Sequence, residues 1–446
     1  MFGIHVPAPL DHLLGTLSSL LDARHAELLE PLFLGTLLAH GRRTATAWFR
    51  AGDMTDEFRR GYTLLGTLGR QCLETFASIL FNRARRTIDP GRFWLFGIDD
   101  TPTPRYGPHV EGAGLHHHPS PGPAHQRYVY GHVWVTLDWI VRHPDCHTLA
   151  LPLLGDLYIR RADLPKIDAD RRPAFHTKLE SAAAQIQWLA QRLEGTDKPM
   201  WTAVDGAYTK RPVLRAARAA GVVLVGRLAH NAALWDLPAA VPAGQRRGRG
   251  RPRKYGTQRV SLAKRAGHAQ GWQEVECFQY QRRVLKRVKT FLATWRPAGG
   301  VIRVVIVQED DGWRAYCCTD PDASVADILE AAAGRTALEQ TNKDVKEVEG
   351  AGQQQLRYWR ANAGAFNWCL WSYAAVEWWA WPKPFDEIVD RSQAPWDETN
   401  RRASHAAKRK ALQQECLREG FWRVWGERPC PPEIRQAVEV LLVLAG

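Results

Sequence analysis

The sequence predicts an α/β protein: a mixed five-stranded sheet flanked by helices, preceded by a helical domain and interrupted by a β-rich insertion. Three observations predict it. Apolar positions recur at three and four through residues 1–88, as in Leu10 to Leu21 and Tyr62 to Phe81, which is the helical period. From residue 93 the pattern changes to short continuous apolar runs, the mark of buried strands. Two of these runs, Phe93 to Ile98 and Trp201 to Val204, stop at acids: Asp99 with Asp100, and Asp205.

Taken in order, Phe93 to Ile98 is a strand, followed by a Gly/Pro/His loop over 107–125 and strands at Tyr128 to Leu137 and Thr148 to Leu154. Ala174 to Leu193 is helical, Trp201 to Val204 is a fourth strand, Lys210 to Ala220 a helix, and Val222 to Leu228 a β-branched fifth strand. Gly/Pro-rich sequence then leads to strands at Gln273 to Gln281, Val301 to Gln308 and Gly312 to Cys318. The helical stretch Val325 to Val348 has Ser324 as N-cap and Gly350 as stop, with Gly334 as a dividing point.

The order strand–strand–strand–helix–strand–helix–strand is that of the RNase H-like core, in which the first strand lies beside the fourth. Ligand sites gather at the carboxyl ends of parallel strands, so Asp99 and Asp205 are expected to meet there. The expected domains are a helical DNA-binding domain (1–88), the first part of the catalytic core (89–229), the β-rich insertion (230–324), the rest of the core with its glutamate helix (325–382) and a basic helical region (383–446).

Charge narrows the function. The 446 residues contain 60 Lys and Arg against 47 Asp and Glu, a net charge of +13, which favours a polyanionic partner. No apolar run approaches the roughly 20 residues of a spanning helix, and the start of the chain lacks a secretory pattern. A cytoplasmic, nucleoid-associated protein is therefore expected, with no membrane partner. The eight cysteines include no CxxC pair, so neither a zinc knuckle nor a disulfide framework is encoded. Nineteen tryptophans, many in Trp368 to Trp381 and Phe421 to Trp425, read as packing.

The third acid follows from asking which helix face can bind both metal and DNA. Arg335, Glu339 and Lys346 are spaced by four and then seven residues, so at about 100° per residue they share one face. One stripe thus presents a carboxylate flanked by two cations suited to phosphate.

These residues resemble the DDE transposases of bacterial insertion sequences, in the branch marked by a Tyr-Arg-Glu-Lys signature. Arg335, Glu339 and Lys346 have its spacing, while its tyrosine falls at Ala332. Ile98-Asp99-Asp100-Thr101 resembles the first-strand motif, and Val204-Asp205-Gly206 followed by Tyr208 the second. The resemblance covers residues 93–380, including a β-rich insertion before the glutamate. It implies an enzyme whose catalytic and metal-binding residues are Asp99, Asp205 and Glu339. It also implies cut-and-paste movement through hairpinned ends and a homodimer that pairs two DNA ends. Hard carboxylate donors suit two Mg²⁺ ions, or Mn²⁺ in their place. Aligning the threonine favours Asp99 over Asp100 as first ligand, and only one of two adjacent strand residues can face the site.

Further residues carry possible DNA contacts. Gln245 to Tyr255 holds five Arg and one Lys and no acid. Its Arg249-Gly250-Arg251-Pro252-Arg253 run, followed by Lys254, resembles an AT-hook for the minor groove, or else is a solvated basic loop. Tyr208 and Lys210 either contact DNA or are ordinary residues at a helix start. His116-His117-His118, with His109, His125 and Glu111 nearby, fits a structural or DNA-positioning role better than a zinc site. The competing function is a DNA-binding regulator on the same scaffold that no longer cuts. A zinc hydrolase and an ordinary RNase H-like nuclease are more distant readings.

Overall fold

A computed structural model describes residues 3–117, 127–239, 253–279, 282–389, 391, 396–398 and 401–445. Six helices come first: α1 (Ala8–Ser18), α2 (Ala23–Ala26), α3 (Leu29–Leu38), α4 (Ala45–Ala51), α5 (Phe58–Thr67) and α6 (Leu73–Ala84), with a π-turn, Leu68–Cys72, joining the last two. Then follow strands β1 (Trp94–Pro104), β2 (Gly114–His117), β3 (Tyr128–His143) and β4 (His147–Tyr158), helix α7 (Lys178–Arg192), β5 (Met200–Val204), α8 (Arg211–Ala219) and β6 (Val223–Leu228). The insertion contributes β7 (Leu234–Trp235), β8 (Arg259–Val260), α9 (Leu262–Gly267), β9 (Gln273–Gln279), β10 (Arg282–Trp295), β11 (Gly300–Glu309) and β12 (Gly312–Cys318). The chain closes with α10 (Val325–Gly334), α11 (Thr336–Glu347), α12 (Trp359–Ala380), α13 (Phe385–Ile388), α14 (His405–Trp425) and α15 (Pro432–Ala445).

The expected strands and helices occur in the expected order, though a short strand, β2, falls within the expected 107–125 loop, and two differences concern the sheet itself. First, β1 does not stop at Ile98. It continues to Pro104 because β3 pairs with it antiparallel beyond the point where β5 ends. Second, the sheet is larger than five strands. Its order is β2-β3-β1-β5-β6-β12-β11-β10-β7-β8, with β4 on β3 and β9 on β10. The insertion therefore extends the same sheet, β12 pairing antiparallel with β6 from Ala315↔Leu228 to Cys318↔Val225. The long strand β10 escaped the periodicity reading because its first six residues, Arg-Arg-Val-Leu-Lys-Arg, are exposed or half-buried and their cations mask the apolar alternation.

Local chemistry explains the element ends. Thr177 and Glu180 form a reciprocal capping box, so α7 begins at Lys178 rather than Ala174. Ser324 caps α10 through the Asp327 N–H at 3.0 Å. The helical stretch breaks after Gly334, leaving Arg335 at the joint between α10 and α11.

The Trp/Ala-rich helix α12 is buried all round from Ala361 to Ala380, as expected of a helix apolar on every side. It also seals an edge of the sheet. Asn367 accepts the Gly155 N–H and donates to the Gly155 carbonyl, both at 2.8 Å, while the Trp371 indole donates to the Leu153 carbonyl at 2.9 Å. These bonds give β4 the partners it lacks as an edge strand. Its opposite side receives the N-terminal helices, whose side chains share one core with the sheet. Closest approach comes at a glycine crossing: a Cβ on Gly364 would lie 1.9 Å from the Leu65 carbonyl oxygen, and one on Gly69 would lie 1.8 Å from that of Arg360. No helix among the described residues is long and apolar enough to cross a membrane.

Five charged side chains near the chain end form an internal network. His405 bridges Glu377 at 2.7 Å and Glu349 at 2.9 Å, Lys408 pairs with Glu377, and Arg409 approaches Glu349 at 3.5 Å. All five residues are buried, so Lys408 and Arg409, part of the basic C-terminal region, serve as anchors and not as an external basic surface. Burial alone would raise the Glu377 carboxyl; Lys408 and His405 override it and hold it down at about 2.

The glycine crossing yields a direct test. Gly364→Ala gains helix propensity, yet overpacking against the Leu65 backbone should lower stability by about 1–3 kcal/mol, read as a lower urea midpoint. An unchanged or raised midpoint would show that the helices can separate there without cost.

Candidate active site

The site is assembled by two strand ends and one helix. Ile98 on β1 is in register with Val204 on parallel β5, so the residues that follow, Asp99 and Asp205, emerge side by side. Asp205 enters a tight turn: its Oδ1 accepts the N–H groups of Ala207 at 2.9 Å and Tyr208 at 3.0 Å. The Asp99 Oδ1 accepts the Asp100 N–H at 2.9 Å.

Helix α11 brings the third acid. Gly97 lets it approach, since a Cβ there would lie 2.6 Å from a methyl group of Leu338. Thr341 pins the next turn by donating to the Ala150 carbonyl at 3.0 Å. Arg335, at the head of α11, then spans the acids. Its Nη1 donates to Asp99 Oδ2 at 2.7 Å and its Nη2 to Glu339 Oε1 at 3.2 Å.

Burial differs across this bridge. The Asp99 side chain is 17% exposed and that of Glu339 64%, so Glu339 sits on the open side. Desolvation pushes the Asp99 carboxyl up to about 6 against the pull of Arg335, and the neighbouring charges of Asp205 and Asp100 push the same way. Such a carboxyl gains from any added positive charge.

Of the adjacent pair, Asp99 faces Arg335, whereas Asp100 forms an ion pair with Lys178 of α7. Tyr208 requires a correction. Expected at a DNA surface, it is 1% exposed, because the Asp205 turn draws its ring inward, where burial and the charges of Asp100, Asp99 and Asp205 raise its hydroxyl strongly. Lys210, at the N-cap of α8, is exposed, as are Arg253 and Lys254. Arg249 and Arg251, like His118 and His125, lie outside the described residues. Lys346 is half-buried near the other end of α11, away from the Arg335 bridge. His116 is buried beside the Tyr158 ring, a structural position.

Among the described residues no group of three or more His, Cys, Asp or Glu side chains is arranged to hold a metal ion as it stands. The reason is visible at Arg335, whose guanidinium occupies the space between Asp99 and Glu339. The donors are all carboxylate oxygens, a hard set that fits Mg²⁺ or Mn²⁺, and a cationic group already stands between two of them. A cavity of 720 Å³ opens beside Asp205 and Arg335, lined also by Arg227, Lys286 and Arg314. Its cations suit a phosphate-bearing substrate.

One acid escaped the sequence reading. Asp138, on β3 opposite Gly97 and diagonal to Asp99, is 1% exposed and its Oδ2 has no hydrogen-bond partner. Its signal was a lone acid inside the apolar run Val133 to Val141. Burial first, and then the Asp99 charge, push its carboxyl up to about 7, with Thr136 opposing. Since the unfolded carboxyl titrates near 4, the stability it contributes is complete below about pH 4 and is lost as pH rises through 7. Asp138→Asn should therefore match wild type in Tm at pH 4 and exceed it at pH 8. A pH-independent Tm difference would mean that Asp138 ionises normally.

Comparison with known proteins agrees with this geometry in its broad class. No curated protein matches the chain. The family model described as DDE superfamily endonuclease matches residues 16–296, more than half of the chain. That span includes Asp99 and Asp205 and ends before Glu339. Its members typically use divalent metal ions on DNA. This chain belongs to the DDE superfamily endonucleases.

Proposed function

We propose that this endonuclease is a DNA transposase of an insertion sequence, cutting DNA at transposon ends and joining them to target DNA by a cut-and-paste route. The observation that carries this reading is the emergence of Asp99 and Asp205 side by side, with Glu339 tied to Asp99 through Arg335. The strand order β4-β3-β1-β5-β6 supports an RNase H-like core. Under this reading the substrate is double-stranded DNA, the terminal repeats and the target, and two chains pair the ends as a homodimer.

Asp99, Asp205 and Glu339 would hold the metal, most simply two Mg²⁺ ions. When bound, such ions activate the attacking oxygen and stabilise the leaving one in an in-line displacement. The protein's own groups do the positioning. Arg335, released from the carboxylates, is within the same cavity as Arg227, Lys286 and Arg314 and can hold a phosphate beside Asp205. The partly desolvated Asp99 is made a stronger cation ligand by its surroundings. Water as first nucleophile nicks an end, and the 3′ hydroxyl so freed repeats the displacement on another phosphodiester.

Two experiments test this. Asp205→Ala and Glu339→Ala should each lower cleavage of end-containing DNA by more than about 10³-fold while DNA binding persists. Cutting retained in either variant counts against the assignment, and binding without cutting by wild type favours the regulator instead. In protein without DNA, Arg335→Gln should bind Mn²⁺ several-fold more tightly, because no guanidinium competes for Asp99; unchanged affinity would mean that the bridge does not guard the acids.

A further inference from the structure

A second cavity, of 970 Å³, lies beyond the far end of α11. Its walls come from the continuation of β1 (Pro104 to Val110), the turn after α11 (Ala351 to Arg357), Lys346, and Arg42 from the N-terminal helical region. None of the lining residues is Asp or Glu. Arg42 and Arg357 are exposed, and the Lys346 side chain is half-buried with no hydrogen bond or ion pair to its amine among the described residues. Burial pulls that amine below its usual value, so an arriving anion would restore what desolvation removes.

The cavity also has an apolar side. Leu356, Val110, Pro104 and Pro108 line it, and Tyr106 at its edge is 85% exposed. A tyrosine ring left this open beside cations is the pairing used to bind nucleotides, base on ring and phosphate on cation. The floor is preorganised. The buried Arg105 guanidinium donates to the Gly352 carbonyl and, at 2.8 Å, to Asn362 Oδ1, clamping the turn onto β1. At the rim Gln355 holds a left-handed backbone at φ 55°, a conformation that non-glycine residues keep mainly where surroundings impose it.

We propose that this cavity is a nucleotide subsite for an unpaired base of the DNA strand, with Tyr106 stacking on the base and Lys346, Arg42 and Arg357 holding its phosphates. The inference rests on the reading of the chain as a DNA-cutting enzyme and adds residues that the acids do not define. Both sites lie on α11: Glu339 and Lys346 are seven residues apart, about 10 Å along the helix axis, so one strand can reach both. A base held in a duplex cannot enter a cavity, which is why the ligand is an unpaired nucleotide and not duplex backbone.

The full chain is titrated in EDTA, where no cutting occurs, with a fluorescent single-stranded DNA decamer, the same decamer made abasic, and a blunt duplex of that sequence. Wild type should prefer the base-bearing strand over the abasic one by about tenfold. Tyr106→Ala should abolish this preference, Tyr106→Phe should keep it, and Lys346→Ala should weaken both strands alike. Base preference that survives Tyr106→Ala, or is absent from wild type, overturns the subsite. The readout is independent of chemistry. A protein that never cuts yet shows this pattern loses the transposase reading and keeps the subsite; one that cuts but binds abasic and normal strands equally does the reverse.

Discussion

Everything at the site depends on one pairing, the parallel register that sets Ile98 against Val204. Parallel strands place equivalent ends at the same edge, so two carboxylates far apart in the chain are brought together by backbone hydrogen bonds and not by any attraction of their own. Their mutual repulsion works against folding. It is tolerated because the strands beneath them are almost wholly apolar: Phe96, Ile98, Ala203 and Val204 are buried, and the sheet continues on both sides of the pair. The carboxylates are thus held by a scaffold whose stability comes from elsewhere.

The same logic extends to the helix that carries Glu339. Two contacts fix α11 on the sheet, Leu338 against Gly97 and Thr341 on the Ala150 carbonyl. Its far end runs into Glu349, which lies in the buried charge network with His405, Glu377, Lys408 and Arg409. Removing one member of such a network leaves an uncompensated buried charge, a loss of about 3–5 kcal/mol. The network therefore ties α11, α12 and α14 into one rigid group, and Glu339 can be exposed without being loose. Arg335 is held differently. It stands at the joint between α10 and α11, its N–H still bonded to the Ala331 carbonyl, so its backbone is held while its side chain reaches across to Asp99 and Glu339.

Much of this was legible in the sequence, for physical reasons that differ by element. Strands β1 and β5 appear as unbroken apolar runs because both faces are covered, and their acids mark where the apolar run stops, although β1 itself continues to Pro104 with Thr101 and Thr103 buried. The break in the glutamate helix was legible because Gly334 disfavours helix; a Cβ there would also sit tightly, 3.3 Å from side-chain atoms of Ile140 and Leu95. Strand β10 was hidden, since periodicity records burial and the first six residues of that strand have little. Tyr208 was misread because the motif indicates position along the chain, whereas the direction of its ring depends on the Asp205 turn. Lys408 and Arg409 look like a basic surface for the same reason: a one-dimensional reading cannot see the acids of α12 and of the turn after α11 that neutralise them.

Asp138 shows what this implies for the chemistry. A lone acid in the middle of an apolar strand is costly unless it stays neutral, and burial keeps it protonated until about pH 7. Lying diagonal to Asp99, it would add a further negative charge beneath the site were it to ionise. Arg335 already compensates Asp99 from the open side, and a bound divalent cation would do so more strongly. The site thus has two routes to neutrality, one by proton and one by cation. Either route lets carboxylates stay desolvated on an apolar sheet without leaving an uncompensated charge at its edge.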